Sequence, residues 1–399
     1  MKDIFVYPVK SLLHNQDIID ENSQFLLDEL RRITNDNYIL VDDVNELKGH
    51  NVLILVQSGG SENIFLNEIY PYFKGPYYLL TYGANNSLAA SLEILSFLNQ
   101  KYEKAEVLHG DIKYIASRIE YLFNKKEDNK VRLGVFGKPS DWLISSNVDY
   151  QKALKVFNIE LVDVSNEELK TQILKYIDID YHYDFKKIFE SKDTLTKSYA
   201  IYEALKDLVN KLDLKGFTIR CFNLLTITKQ TSCYALAKLN SEGIIATCEG
   251  DIPSMISMYV IRKVLNLSAF QVNPQFIYQD KKEISFAHCT IPLDMVKDYK
   301  LMTHYESNMG LAIKGDIKEG DCTVFKIAAD LKSFYVAEGK LVQDEFSNTR
   351  CRTQVKVIFD NSIDYFLSST LSNHHIIIYV RYASVLSNYL RSLGLNRII

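Results

Sequence analysis

Short apolar runs alternate with amphipathic helix patterns over the first 265 residues, and this alternation constrains the fold more than any other feature of the chain. Apolar runs at residues 3–9, 51–57 and 77–83 each precede polar turn residues and a helical pattern. The clearest helix pattern, at residues 86–100, places four leucines on one face: Leu88, Leu92, Leu95 and Leu98. Parallel strands need a crossover connection, usually a helix, so the pattern predicts mostly parallel sheets.

Two changes in the pattern divide the chain. The charged run NKKEDNK at residues 124–130 contains no apolar residue and predicts a domain boundary near residue 128. A second alternation of strands and helices then continues to about residue 268, after which short strands follow one another through turns, as in antiparallel sheets. We therefore predict an α/β fold with two parallel-sheet domains, residues 1–128 and 129–268, followed by a mostly antiparallel C-terminal domain, residues 269–399.

Composition excludes several classes of partner and location. The chain has a net charge of −4 and no block of Lys or Arg, so we expect no nucleic-acid partner. It contains no run of about 18 apolar residues, which argues against a membrane span, and its N-terminus lacks the long apolar stretch of a signal peptide. The six cysteines are dispersed without a CxxC pair, which predicts reduced thiols, a cytoplasmic protein and no structural zinc site.

The strongest local motif is Cys248-Glu249-Gly250-Asp251, which follows an apolar strand run and precedes a helix pattern. Ligands of open parallel sheets bind at the carboxyl ends of the strands. Two carboxylates on a glycine-containing turn can bind a hard cation or transfer protons. Alternatively, Asp251 caps the helix and Glu249 is solvated, and spacing does not separate these interpretations. Asp251 can also serve both purposes.

Three histidines in the C-terminal region are further candidates. His288 lies in the motif FAHCT, where a lone histidine beside an apolar strand is commonly structural. His374 and His375 open the apolar run HHIIIYV. Adjacent residues of a strand face opposite sides, so at most one of these two can point into a given pocket.

The segment GVFGKPSDWLISS places Lys138 and Trp142 directly after a predicted strand. Such a pair suits a sugar, because an indole stacks on the C–H face of the ring and an ammonium group binds a hydroxyl or an anionic group. The alternative is that Ser140 or Asp141 caps a helix and Trp142 belongs to the core.

Five segments in this order resemble the L-fucose isomerase and L-arabinose isomerase family, in particular its shorter fucose-isomerase-like members. They are GKPSDWL, IRCFNLL, LNSEGIIATCEGDIPSM, FAHCTIP and HYESNMGLAIKG, and they lie between about residues 131 and 315. The resemblance implies two Rossmann-like domains with an antiparallel, barrel-like C-terminal domain. It also implies a divalent metal, usually manganese, an aldose–ketose isomerisation through an enediol, and a trimer or hexamer with active sites between subunits.

The resemblance assigns roles to individual residues. The first metal-binding carboxylate of the family matches Glu249, and the second falls on Asn273, where this chain has an amide. A histidine ligand matches His288, and the C-terminal histidine ligand falls on His374 or His375. An amide can bind a metal through its carbonyl oxygen but cannot act as a base, and it removes one negative charge from the site. Another group, Asp251 or Glu306 in the HYES segment, is then needed for the second proton transfer.

Three functional hypotheses follow. The first is a ketol isomerase acting on a monosaccharide or deoxy sugar, with Glu249 and Asp251 as catalytic residues and with sugar contacts from Lys138, Trp142 and Glu306. The second is a non-catalytic carbohydrate-binding relative that lost one metal carboxylate at Asn273. The third is a lyase or epimerase that uses the same metal-enolate chemistry. Metal analysis of the purified protein separates an enzyme from a binding protein.

Overall fold

The computed structural model describes residues 2–123, 130–179, 181 and 191–398. The chain forms two compact units, residues 1–126 and 127–399. The boundary predicted near residue 128 lies outside the described residues, and the division into three domains stays a prediction.

The first unit contains a parallel sheet of five strands: β1 (Asp3–Val9), β2 (Asn37–Leu40), β3 (Asn51–Val56), β4 (Tyr77–Leu80) and β5 (Ala105–Leu108). Their order across the sheet is β2-β1-β3-β4-β5. The helices are α1 (Gln16–Thr34), α2 (Glu62–Ile64), which a π-helical turn continues, α3 (Ser87–Gln100) and α4 (Ile112–Phe123). Apolar cores form on both faces of the sheet, as expected when helices cover a parallel sheet on both sides.

The second unit begins with another parallel sheet, made of β6 (Val131–Phe136), β7 (Ile159–Val164), β8 (Gly216–Ile219) and β9 (Ile245–Cys248). The strand order is β7-β6-β8-β9. The helices here are α5 (Tyr150–Phe157), α6 (Asn166–Leu174), α7 (Lys192–Lys211), α8 (Phe222–Thr228), α9 (Cys233–Ser241) and α10 (Ile252–Leu265).

The remaining strands belong to antiparallel structure: β10 (Phe270–Tyr278), β11 (Glu283–His288), β12 (Val296–Met302), β13 (Ala312–Ile317), β14 (Gly320–Ile327), β15 (Ser333–Gln343), β16 (Thr353–Phe359), β17 (His375–Tyr379) and β18 (Asn396–Ile398). Six of them close into a barrel in the order β14-β17-β10-β11-β16-β15, because β15 pairs again with β14. Strand β18 pairs with β15 in parallel, and β12 and β13 form a separate antiparallel pair. Helices α11 (Tyr365–Ser368) and α12 (Ala383–Ser392) lie before and after β17.

Helix α10 connects the two parts of the second unit. It contacts β8 and β9 of the parallel sheet and also β14 and β17 of the barrel. The start of α10 therefore lies where the carboxyl end of the sheet meets the barrel. The predicted fold class, two parallel-sheet regions followed by a mostly antiparallel barrel, is confirmed. In the part of the chain that the structure describes, no helix has the length and apolar character needed to cross a bilayer.

Candidate active site

The turn between β9 and α10 carries the first candidate carboxylate. Glu249 and Gly250 both have left-handed backbone conformations, with φ of 63° and 71°. At Gly250 a Cβ atom would lie 2.7 Å from the carbonyl oxygen of Lys138 and 2.8 Å from Cα of Pro139, so this close approach requires glycine. The Gly250 N–H donates to the carbonyl of Ile219 at 3.0 Å, which ties the turn to the neighbouring strand. The turn thus presents Glu249 at the carboxyl edge of the sheet.

Asp251 caps α10 and also makes contacts across the interior. Its Oδ1 accepts a hydrogen bond from the Ser254 N–H at 2.8 Å, the usual arrangement of a helix N-cap. Both carboxylate oxygens also lie within 3.4 Å of Nζ of Lys326, on β14, which donates to Oγ of Ser254 at 2.9 Å. Asp251 and Lys326 are completely buried. The helix cap is therefore part of a buried ion pair with the barrel.

The barrel contributes two histidines next to this turn. His288 ends β11, and His374 immediately precedes β17. Strand β10 pairs with both of these strands, and the two registers place the histidines on either side of residues 272–273 of β10. His374 and His288 are buried, and their ring centroids lie 5.6 Å apart.

Glu249, His288 and His374 form a compact cluster of metal-ligating side chains. Each offers one ligand atom, and these atoms all lie within 4.8 Å of one another. Nδ1 of His374 is 2.8 Å from Oδ2 of Asp251, and its Nε2 is 3.6 Å from Oε1 of Glu249. A ligating histidine commonly donates its second ring N–H to a carboxylate, which fixes the ring orientation. Asp251 holds the position of such a partner.

One observation tests whether this cluster fits a divalent cation. Nε2 of His374 is buried and has no hydrogen-bond partner among the described residues. A buried polar atom without a partner is costly, and such atoms are rare in native structures. A cation bound by Nε2 of His374, a carboxylate oxygen of Glu249 and a nitrogen of His288 would satisfy it. Two imidazoles and one carboxylate are a donor set suited to Mn²⁺, Fe²⁺ or Zn²⁺.

The charges in the cluster are strongly coupled. Burial alone would raise the pKa of Glu249, but His374 and His288, together with a hydrogen bond from Trp142, lower it to about 2. Burial alone would lower the pKa of His374, but Glu249 and Asp251 raise it to about 9. Burial and the nearby charge of His374 lower the pKa of His288 to about 3. Without a metal at neutral pH, Glu249 is therefore ionised, His374 is protonated and His288 is neutral.

The ion pair behind His374 shows the same coupling. Burial alone would raise the pKa of Asp251, but Lys326 and His374 hold it well below its usual range. Burial lowers the pKa of Lys326, and Asp251 opposes that shift. Asp251 therefore stays ionised and keeps its charge beside His374.

A cavity of about 260 Å³ opens next to the cluster. Its walls combine polar, aromatic and thiol side chains; they include Glu249, Asn273, His288, His304, Glu306, Asn373, Phe222, Tyr305 and five cysteines. Glu249 and His288 are thus accessible from the cavity, whereas Asp251 lies behind His374 and is not part of the lining.

Two other residues predicted from the sequence also line this cavity. Oδ1 of Asn273 accepts a hydrogen bond from Nδ2 of Asn373 at 3.1 Å. Glu306 has a half-exposed side chain, and its Oε2 lies 3.9 Å from Nε2 of His304. Glu249 and Glu306 are therefore two carboxylates that face one cavity.

The structure separates the other two predicted sugar contacts, Trp142 and Lys138. Trp142 is 49% exposed, and its indole N–H donates to Oε2 of Glu249 at 3.1 Å. The ring also packs edge-on against Phe222, with centroids 5.3 Å apart. Trp142 therefore lies beside the site rather than in the core. Lys138 is exposed and lies outside the cavity lining formed by the described residues, and its backbone carbonyl oxygen lies close to Gly250.

The adjacent histidines have different surroundings. His374 joins Glu249 and Asp251, as described above. Nδ1 of His375 bonds to the carbonyl of Asn373 at 3.1 Å, and its Nε2 bonds to the hydroxyl of Tyr365 at 3.0 Å. With both ring nitrogens engaged, His375 lies outside the cluster, and His374 is the one of these two candidates that joins Glu249 and His288. The reason is the alternation of a strand, which turns neighbouring side chains to opposite sides.

Sequence reasoning missed several residues of the site. Lys326 interrupts the apolar run VFKIAA, and a charged residue inside a strand that otherwise looks buried was an available signal. His304 precedes the HYES glutamate and lines the cavity. The convergence of five dispersed cysteines had no local signal, because long-range folding alone brings them together.

Comparison with known proteins gives weak similarity to one kind of enzyme. No family model matches the chain. Sulfoquinovose isomerases of Priestia aryabhattai and Priestia megaterium are 19% identical to it over 268 residues, which cover 63% of this chain and 60% of theirs. A sulfoquinovose isomerase of Clostridium sp. is 25% identical over 146 residues, 34% of this chain and 32% of its own. The match to the first two relatives thus spans less than two thirds of their length. The similarity supports the resemblance to sugar isomerases without selecting a member.

Proposed function

We propose that the protein is a metal-dependent aldose–ketose isomerase acting on a monosaccharide or deoxy sugar. The observation that carries the proposal is the cluster of Glu249, His288 and His374 at a cavity, with one buried imidazole nitrogen that has no hydrogen-bond partner among the described residues. The weak similarity to sulfoquinovose isomerases supports the same reaction class. The identity of the sugar is set by loop contacts that the cluster does not determine.

The three cluster residues would hold a divalent cation, which we propose to be Mn²⁺. A cation bound there would polarise the carbonyl and hydroxyl oxygens of an open-chain sugar. Asp251 orients His374 through its Nδ1, and Lys326 keeps Asp251 ionised. The indole N–H of Trp142 fixes the second oxygen of Glu249 while half of the ring stays exposed for stacking on a sugar.

Isomerisation through an enediol needs two groups that move protons between neighbouring carbons. We assign one transfer to Glu249, which is ionised at neutral pH and faces the cavity. Of the two candidates for the second transfer, Asp251 has its oxygens engaged by Lys326, His374 and Ser254. Glu306 lines the cavity, so we assign the second transfer to Glu306.

A carbohydrate-binding protein without catalysis is the second candidate. The observation that favours it is Asn273, whose amide replaces the second carboxylate expected from the resemblance and is bonded to Asn373. Such a protein would bind sugar without converting it and would bind metal weakly.

The test begins with the metal content of the purified protein and Mn²⁺ binding by the metal-free protein. Aldoses and deoxy-aldoses are then incubated with the Mn²⁺-loaded protein in D₂O, and ketose formation and deuterium exchange at C2 are followed by NMR. We expect both signals in the wild type and their loss in Glu249→Gln. Glu345→Gln, which changes an exposed glutamate of the same unit, is the matched control. Protein that binds sugars but does not exchange C2 even after incubation with Mn²⁺ would favour the binding protein instead.

We also propose that the chain forms a homo-oligomer, a trimer or hexamer as the resemblance implies, in the cytoplasm. Light scattering tests the first part, since a species near the chain mass of 46.0 kDa at micromolar concentration would contradict it.

A further inference from the structure

Five of the six cysteines line the cavity beside the proposed metal site: Cys221, Cys233, Cys248, Cys289 and Cys351. The sixth, Cys322, lies in strand β14. The proposed isomerase chemistry uses none of these thiols. Their concentration at one cavity therefore calls for a separate account.

Two of the five thiols are in direct contact. Sγ of Cys248 lies 3.1 Å from Sγ of Cys221. The contact arises from the sheet, because Ile219 on β8 is the register partner of Cys248 on β9, and Cys221 follows Ile219 by two residues. A disulfide has an S–S distance of about 2.05 Å, so the two sulfurs need to approach by about 1 Å.

The surroundings allow that movement. Cys221 is partly exposed and stands at the start of α8, a helix of seven residues whose N-cap side chain makes no capping hydrogen bond. Cys248 is buried at the end of β9 and is the fixed member of the pair. An oxidant that enters the cavity meets Cys221, and Cys248 is already in contact with it.

We propose that Cys221 and Cys248 form an oxidisable dithiol, which hydrogen peroxide oxidises to an intramolecular disulfide that impairs the metal site. The sulfur of Cys221 attacks one peroxide oxygen, the O–O bond breaks, and a sulfenic acid and one water form. The sulfur of Cys248 then attacks the sulfenic sulfur, and the S–S bond forms as a second water leaves. The two thiols together lose two electrons and two protons, and hydrogen peroxide is reduced to two molecules of water.

Formation of the disulfide affects the metal site through the backbone next to each cysteine. Cys248 directly precedes Glu249, whose backbone already has the uncommon φ of 63°. Cys221 directly precedes Phe222, which packs against Trp142. Pulling the two sulfurs together therefore moves both Glu249 and the support of its Trp142 partner. We expect the oxidised protein to bind Mn²⁺ at least about tenfold more weakly, as for other losses of ligand orientation. This part rests on the proposed function, whereas disulfide formation does not.

The first experiment maps the disulfide without using activity. Reduced, metal-free, full-length protein is treated with a small excess of hydrogen peroxide, blocked with N-ethylmaleimide and digested without reductant for mass spectrometry. We expect a linked Cys221–Cys248 peptide and two fewer free thiols per chain. Three results would overturn the proposal: all thiols are retained, the disulfide links two chains, or Cys289 forms a disulfide with Cys233 or Cys351 before Cys221 and Cys248 are linked.

Variants and metal titrations complete the test. Cys221→Ser, at a partly exposed position, should abolish the loss of two thiols, while Cys322→Ala should retain it; circular dichroism checks that both variants fold. Mn²⁺ titration of oxidised and reduced wild type then measures the effect on the metal site. Equal affinities after complete oxidation would refute the effect of the disulfide on the metal site. Failure of the reduced protein to bind Mn²⁺ would refute the proposed function and that effect together, whereas the disulfide would still be decided by the peptide map.

Discussion

Binding of a divalent cation should release about one proton per site at pH 7, and the proton should come from His374. In the metal-free protein the pKa of His374 is raised to about 9, because the attraction of Glu249 and Asp251 outweighs the effect of burial. A metal bound at Nε2 requires the imidazole to be neutral. The other two ligands release no proton, since the pKa of Glu249 is about 2 and that of His288 is about 3.

The size of the effect follows from the distance between the pH and this pKa. Each pH unit below the pKa of about 9 costs tenfold in apparent metal affinity, so the competition at pH 7 weakens binding roughly 100-fold. The logarithm of the binding constant should therefore rise with a slope of about one between pH 6.5 and 8.5 and level off above pH 9.

Calorimetric titration of Mn²⁺ into the metal-free protein provides the assay. At pH 7 it is repeated in two buffers with different ionisation enthalpies, and the difference in heat gives the number of protons released. The control is Asp251→Asn, which removes one of the two charges that raise the pKa of His374 and should shift the pH dependence to lower pH. Release of no proton would show that His374 is not a ligand, and release of two would show that a second protonated group takes part.

Three further predictions address the same region. Asn273→Asp should tighten Mn²⁺ binding roughly tenfold, because it adds an anionic oxygen at the cavity wall; unchanged titration curves would mean that position 273 does not face the metal. Asp251→Asn should lower the free energy of unfolding in urea by about 3–5 kcal/mol, because it leaves the buried Lys326 without its anion, and adding Lys326→Met should restore most of the loss; an unrestored double variant would refute the ion-pair explanation. Metal-free protein should be most stable to urea near pH 6.5. Because the pKa of His374 is raised to about 9, its contribution to the free energy of unfolding is lost as the pH rises from 6.5 to about 9. Because the pKa of His288 is lowered to about 3, its contribution is lost as the pH falls from 6.5 to about 3. A free energy of unfolding that rises steadily from pH 6.5 to 9 would contradict the assignment for His374.

The fold was predictable because its signals are local. A buried parallel strand appears as a short continuous apolar run, and the crossover helix that follows has its own period, so residues 131–265 indicated strand and helix in alternation. The change to consecutive strands after about residue 270 likewise predicted antiparallel pairing. Closure of six strands into a barrel depends on the pairing of β14 with β15, and the alternation gives no sign of which strands meet.

The site was predictable only where position along a strand carried information. The CEGD turn was recognised because it follows a strand, and ligand sites of parallel sheets lie at strand ends. The choice between His374 and His375 needed the orientation of one strand, which depends on the whole barrel. Lys326 and Asp251 are 75 positions apart, so their ion pair follows from the packing of α10 against β14 rather than from any motif.

Asp251 combines the two roles that the CEGD motif predicts, a helix cap and a carboxylate of the site. One carboxylate accepts the Ser254 N–H as a helix cap through Oδ1 and holds Nδ1 of His374 through Oδ2. The orientation of the proposed metal ligand is therefore fixed by the same group that begins helix α10. Lys326, on the barrel, neutralises Asp251. A shift between barrel and sheet would therefore move His374 and leave the charge of Asp251 buried without a counter-charge or water. The cost of that buried charge holds the ligand geometry in place before any metal binds.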